Sequence, residues 1–240
     1  MTPQVRTYPD APGLASAVAE AFVARLAEIQ AEGRIPEVAL TGGTIAEEIH
    51  RLVPTIDSAA VDWSSVRFWW GDERYVPADS SDRNDLAAGR DFLDKVGVDA
   101  LRVHHMPASD EAYPDVDTAA AAYAQLVREH GDGLFDLVML GLGPDGHVAS
   151  LFPGHRQLAS DDIAVGVTGS PKPPPERITL TFPCLNRTRE VWFLVSGEGK
   201  ADAVRRALAE TGTVEETPAR GITGGTHTWW LDSPAASQLP

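Results

Sequence analysis

The chain has 240 residues, 43% hydrophobic and 23% charged, values that fit a globular protein of one large or two small domains. No apolar run approaches the ~20 residues of a membrane span, and the opening MTPQVRTYPD has no apolar signal core. A net charge of −15 argues against binding nucleic acid or anionic membranes, and a lone cysteine, Cys184, excludes an internal disulfide and a cysteine metal cluster.

In chain order, Ala11 to Glu32 reads as the first helix, with Asp10 as its N-cap and Pro12 in its first turn. Leu14, Val18, Phe22, Leu26 and Ile29 share one face, and Gly33 ends it. Glu37 to Leu40 is a short strand, followed by Thr41-Gly42-Gly43-Thr44 and a helix through Ile45, Ile49 and Leu52. A strand, a glycine pair and a helix start form a recipe for holding a phosphate. Backbone N–H groups point at the anion and glycine lets it come close. The same pattern also serves as a plain tight turn.

Val66 to Trp70 is the next strand, ending in the charged Gly71-Asp72-Glu73-Arg74. Pro77 to Asp85 is polar and turn-rich, so a long loop is expected. Residues 86–96 and 117–129 read as helices. Leu137 to Gly141 lacks alternation and suits a strand buried on both faces. Ile163 to Val167 and Arg177 to Phe182 read as strands, separated by a rigid, exposed Lys172-Pro173-Pro174-Pro175 connection. Val191 to Val195 is a strand, Ser196 to Lys200 leads into a helix through Val204 and Leu208, and Thr226 to Leu231 closes the pattern. Alternating strands and helices predict an α/β fold in three layers, α/β/α, around a mainly parallel, Rossmann-like sheet. A single domain over 1–240 is expected, since no linker or repeat interrupts it.

The chemistry gathers at strand ends. Gly141-Leu142-Gly143-Pro144-Asp145-Gly146 follows the buried strand and leads into His147, where open α/β sheets place their ligand crevice. Gly141, Gly143 and Gly146 satisfy the dinucleotide pattern G-x-G-x-x-G. The strand lies mid-chain, however, and Pro144 removes a backbone donor, so a cofactor loop is not expected. There is no G-x-S-x-G, H-E-x-x-H or complete P-loop, Gly199-Lys200 included. What remains is the Gly42-Gly43-Thr44 loop, the Asp72-Glu73-Arg74 cluster, Asp145 with His147, and the cations Arg177 and Lys200. A histidine, acids, cations and a phosphate cradle suit proton transfer on a phosphorylated metabolite. Glu73 has no assigned task. His50, His104, His105, His130, His155 and His227 are read as surface or structural, and the pairs Trp69-Trp70 and Trp229-Trp230 as core and sheet-edge packing.

The chain resembles the 6-phosphogluconolactonases, whose superfamily also holds glucosamine-6-phosphate deaminases. The resemblance rests on Leu40 to Gly43, Trp70 to Pro77, Ser81 to Asn84, Gly141 to Pro153, Arg177 to Thr181, Gly197 to Ala201 and Trp230 to Asp232. Its most specific parts are Gly-Asp-Glu-Arg and Asp-Gly-His-Val-Ala-Ser-Leu-Phe-Pro. It implies hydrolysis of 6-phosphoglucono-1,5-lactone in the oxidative pentose phosphate pathway, with His147 as base and no required cofactor; no metal is expected, since the sequence has no ligand set with metal spacing. The family's Gly-Gly-Ser-Thr-Pro loop reads Gly-Gly-Thr-Ile-Ala here, so Thr44 keeps a hydroxyl and Ile45 loses one. The related deaminases carry an acid after Asp-Gly-His, where this chain has Phe152. A deaminase-like enzyme or a non-catalytic sugar-phosphate-binding module are the alternatives.

The expected mechanism has His147 deprotonate water, with Asp145 or Asp72 holding the imidazole or the water. Arg74 is expected to steady the oxyanion. Gly42, Gly43, Thr44, Arg177 and Lys200 are expected to hold the 6-phosphate. The partner is a small phosphosugar lactone, with no nucleic acid and no membrane. The protein is expected to be cytoplasmic, as a monomer or weak homo-oligomer.

Overall fold

Phe135–Gly141 (β5) is buried along all but its last residue, because neither face of a central parallel strand meets water. Each fully buried Val or Leu there contributes roughly 1.5–3 kcal/mol. The computed structural model describes residues 3–130 and 134–240. In it β5 pairs with Glu37–Leu40 (β2) on one side and Thr188–Val195 (β8) on the other. Arg67–Trp70 (β3) lies beyond β2, and Thr226–Asp232 (β9) and then Gln4–Tyr8 (β1) lie beyond β8. The order is β1-β9-β8-β5-β2-β3, and every pairing is parallel. From β2 the chain steps outward to β3, and from β5 it steps the other way to β8. The crevice between β2 and β5 is therefore the topological switch point, where such sheets bind ligands.

Ala11–Ala31 (α1) forms as its apolar face predicts, with Asp10 Oδ1 accepting from Gly13 N at 2.9 Å. Thr44–Leu52 (α2) follows the glycine pair and packs on α1. The helix expected over 86–96 begins earlier, as Asn84–Ala88 (α3), and runs through a π-helical turn, Gly89–Leu93, into Asp94–Val96 (α4). Val116–His130 (α5) and Ala201–Leu208 (α7) match the expected helices. Two short helices, Phe182–Leu185 (α6) and Ser233–Ala236 (α8), were not foreseen. Phe182 was expected to end a strand, but Pro183 leaves the ladder and opens α6 instead.

A second sheet carries half the site. Asp72–Arg74 (β4), Arg177–Leu180 (β7) and Ala164–Val167 (β6) pair antiparallel in the order β4-β7-β6. Gly71 joins the two sheets, donating to Leu40 O at 3.0 Å and accepting from Leu180 N at 2.8 Å. The tryptophan reading holds in part. Trp69 and Trp70 are fully buried, but Trp229 and Trp230 are core too, because β1 covers β9 from the edge.

Candidate active site

Four parallel strands, β2, β3, β5 and β8, deliver their C-terminal ends to one cavity of about 530 Å³. All the predicted site residues except Asp145 line it. Its charged walls are four cations, Arg74, Lys172, Arg177 and Lys200, against two carboxylates, Glu48 and Asp72. Within the cavity, then, positive side chains outnumber negative ones, against the chain's overall −15.

The cradle is built by two glycines with different duties. Gly43 has φ +98°, a left-handed conformation that L side chains rarely adopt, and it turns the chain into α2. No side chain caps α2, so its first N–H groups face the cavity without an internal acceptor. Gly42 is required by close approach, since a Cβ there would stand 1.8 Å from Asn84 Oδ1.

The glycines of the dinucleotide-like stretch shape a histidine loop instead. A Cβ on Gly143 would lie 2.0 Å from His147 Nδ1. Gly143 N donates to His147 O and Gly146 N to Gly143 O, both at 2.9 Å, and Gly146 sits at φ +92°. This tight fold turns the imidazole back over the loop. His147 Nδ1 lies 2.5 Å from Asp145 Oδ1, while Phe152 packs on the ring with centroids 4.6 Å apart. Partial burial works to raise the Asp145 pKa, but the hydrogen bond and charge of His147 outweigh it and hold the carboxyl at about 2. An ionised Asp145 accepts the Nδ1 proton and leaves Nε2 as the basic nitrogen. Arg206 ties the loop down, donating to Pro144 O at 3.2 Å and Asp145 O at 3.4 Å.

Asp72 does not touch His147. It is buried, and its Oδ2 accepts from the equally buried Ser150 Oγ at 2.6 Å. The sequence left the imidazole's partner open between the two acids, and the geometry gives Asp145 to His147 and leaves Asp72 facing the cavity.

The cations are anchored by backbone carbonyls. Lys200 Nζ donates to Leu142 O at 2.6 Å, and burial, with Lys172 nearby, lowers its pKa. Arg177 donates to the carbonyls of Lys172, Pro173 and Pro174 at 3.1–3.3 Å, and its burial likewise lowers its pKa. Arg74 Nη1 donates to Asp82 O at 2.7 Å and Asn84 Oδ1 at 2.6 Å. Asp232 steadies the turn that launches Lys200, accepting from Gly197 N at 3.0 Å and from Ser196 Oγ at 2.5 Å.

Sequence reasoning passed over Asn84, Ser150 and Lys172 as side chains with a task. Asn84 Nδ2 also donates to Asp72 O at 3.2 Å, so one amide links two site residues. Glu73 has a structural task. Its buried carboxylate accepts from the backbone N–H groups of Arg74, Asn84 and Asp85 at 2.8–2.9 Å, and burial and neighbouring Asp85 push its pKa up. The Lys172–Pro175 connection is exposed as expected, but Lys172 and Pro173 also wall the cavity. His50 and His104 are structural, each pulled down to about 4 by burial. Among the described residues, no group of three His, Cys, Asp or Glu side chains gathers to hold a metal.

Residues 9–230 match the family model of glucosamine-6-phosphate isomerases/6-phosphogluconolactonase. The chain is 44% identical to a 6-phosphogluconolactonase of Streptomyces coelicolor, covering all of this chain and 95% of that protein. It is 42% identical to a 6-phosphogluconolactonase of Mycobacterium tuberculosis, with both chains covered in full. Among solved structures it superimposes on the 6-phosphogluconolactonase of Thermotoga maritima with a TM-score of 0.82 at 28% identity, covering 95% of this chain and 98% of the other. The Trypanosoma cruzi 6-phosphogluconolactonase gives 0.86 at 25% identity, covering 99% and 97%.

Proposed function

We infer the reaction from the premise that this chain belongs to the glucosamine-6-phosphate isomerase/6-phosphogluconolactonase family: it is a 6-phosphogluconolactonase. It hydrolyses 6-phospho-D-glucono-1,5-lactone to 6-phospho-D-gluconate, the lactone step of the oxidative pentose phosphate pathway. The observation that carries the residue assignment is His147, which lies 2.5 Å from Asp145 behind it and lines the same cavity as an uncapped helix start and two anchored cations.

In this reading His147 Nε2 takes a proton from water, and the oxygen bonds to C1. The carbonyl electrons move to oxygen, and Asp145 stabilises the imidazolium that forms. The tetrahedral intermediate then breaks its C1–ring-oxygen bond, and His147 returns the proton to the departing oxygen. Arg74 faces the developing oxyanion. Asp72, fixed by Ser150, is free to accept from the attacking water or a sugar hydroxyl. The 6-phosphate lies on the Gly42-Gly43-Thr44 cradle between Arg177 and Lys200. Ile45 lines the cavity with an apolar surface, so the cradle holds through backbone donors, the Thr44 hydroxyl and the two cations.

No described helix is long and apolar enough to cross a membrane. A cytoplasmic location and a monomeric or weakly homo-oligomeric state complete the reading. The decisive assay follows acid release from freshly generated 6-phosphogluconolactone, corrected for spontaneous opening. A rate no faster than the uncatalysed one would refute the reading.

A further inference from the structure

The proline-rich connection carries a charge that the site so far described does not use. Lys172 is held by its own backbone. Ser170 Oγ donates to Lys172 O at 2.9 Å, Lys172 N lies 3.3 Å from the same hydroxyl, and Arg177 Nη2 donates to Lys172 O at 3.1 Å. The backbone is thus tied to a cavity cation while the side chain lines that cavity. Its ammonium is also felt by Lys200, whose pKa it lowers in addition to the effect of burial. Among the described residues no carboxylate pairs with Lys172. Bringing a second ammonium toward Lys200 without a counter-ion is unfavourable unless an anion comes between them.

We propose that Lys172 is a third cation of the phosphate subsite, lining the same cavity as the Gly43–Thr44 cradle and meeting the substrate's 6-phosphate there. The proposal rests on the phosphate placement given above and adds a residue on the cavity rim. Four backbone prolines, Pro171 and Pro173 to Pro175, stiffen the strap, so the lysine is presented with little backbone entropy left to lose. The site then discriminates by charge. A dianionic phosphate satisfies three cations, whereas a neutral sugar leaves them in mutual repulsion.

The test is steady-state kinetics of Lys172→Met and Lys172→Arg, with Arg177→Ala and Lys200→Ala as companions, and inorganic phosphate as a competitive probe. For Lys172→Met the KM for 6-phosphogluconolactone should rise roughly three- to thirty-fold, less than for a buried cation because the head group is exposed. The Ki of inorganic phosphate should rise in parallel, kcat should stay within about two-fold, and Lys172→Arg should restore most of the loss. Unchanged KM and Ki in Lys172→Met, while Arg177→Ala and Lys200→Ala raise both, would overturn the proposal and leave the phosphate placement standing. No effect from any of the three would overturn the placement itself. A loss of kcat with unchanged phosphate Ki would assign Lys172 to the strap's shape instead, and would also overturn the proposal. Thermal unfolding of each variant separates these outcomes from misfolding.

Discussion

Arg74 and Arg177 stand directly opposite one another across the antiparallel β4–β7 pair. Like charges in that register destabilise a sheet by a few tenths of a kcal/mol to about 1 kcal/mol. Both side chains line the substrate cavity, and each is held by carbonyl oxygens rather than by a carboxylate. The pair makes sense as a receptor for negative charge, phosphate at one end and oxyanion at the other.

Anions should therefore stabilise the fold. Inorganic phosphate at about a hundred times its Kd should add about 2.7 kcal/mol to unfolding, read as a rise in Tm. In Arg177→Ala that rise should largely vanish. The same variant, and Lys200→Ala, should raise KM by roughly ten- to a hundred-fold, one charged hydrogen bond being worth roughly 1.5–3 kcal/mol. Equal phosphate stabilisation in the wild type and both variants would remove these residues from the subsite.

The base and its partner separate by rate and by pH. His147→Ala should lose roughly 10²–10⁴ of the catalysed rate with KM nearly unchanged. Asp145→Asn should lose less, because the imidazole remains. The carboxyl of Asp145 sits at about 2 in the folded chain, below the ~3.9 of an unfolded aspartate. Its contribution to stability is thus present above pH ~4 and is lost as pH falls toward 2. The stability gap between wild type and Asp145→Asn should accordingly narrow across that window. A gap independent of pH between 5 and 2 would show that the pair does not form.

Glu73 should prove a scaffold rather than a reactant. Its two oxygens take three backbone N–H groups from β4 and the start of α3. Glu73→Gln turns one acceptor into a donor facing an N–H, at a cost of about 1–3 kcal/mol. Tm should drop, and KM should rise as Asn84 and Arg74 loosen. A stable Glu73→Gln protein with lost kcat and normal KM would give Glu73 a chemical task instead.

The fold's parallel half was legible because burial writes itself into local pattern. Phe135 to Gly141 is apolar on both faces, and Leu14 to Ile29 is apolar on one. The antiparallel half was only partly legible. Asp72–Arg74 is three charged residues, and it becomes a strand through pairing with Arg177–Leu180, a hundred residues away in sequence. Gln4–Tyr8 is mostly exposed and pairs in the sheet with β9 alone, so no apolar alternation announced it. Within the site, the glycine cradle, His147, the buried Arg177 and the half-buried Lys200 were readable from strand ends and turns. Ser150 and Asn84 were not, because their value lies in which atoms they meet across the fold. Lys172 looked like surface charge, because a proline strap shows its stiffness in sequence and not the cavity beneath it.

Phe152 decides between lactone hydrolysis and amino-sugar deamination. It is buried, packs 4.6 Å from the His147 ring, and lies 6.0 Å below the Arg177 guanidinium carbon. An apolar ring cannot move a proton, and ring opening and deamination of an amino sugar need an acid there more than lactone hydrolysis does. The wild-type protein should release no ammonia from glucosamine-6-phosphate above background while turning over the lactone. The ring's own duty is to brace the imidazole against the loop. Phe152→Ala should cost about 3–5 kcal/mol of stability. It should also lower kcat more than it raises KM, since the loosened group is the base and not the phosphate clamp. Ammonia released at a rate comparable to lactone opening would reverse the assignment, whatever the fate of the Phe152 variant.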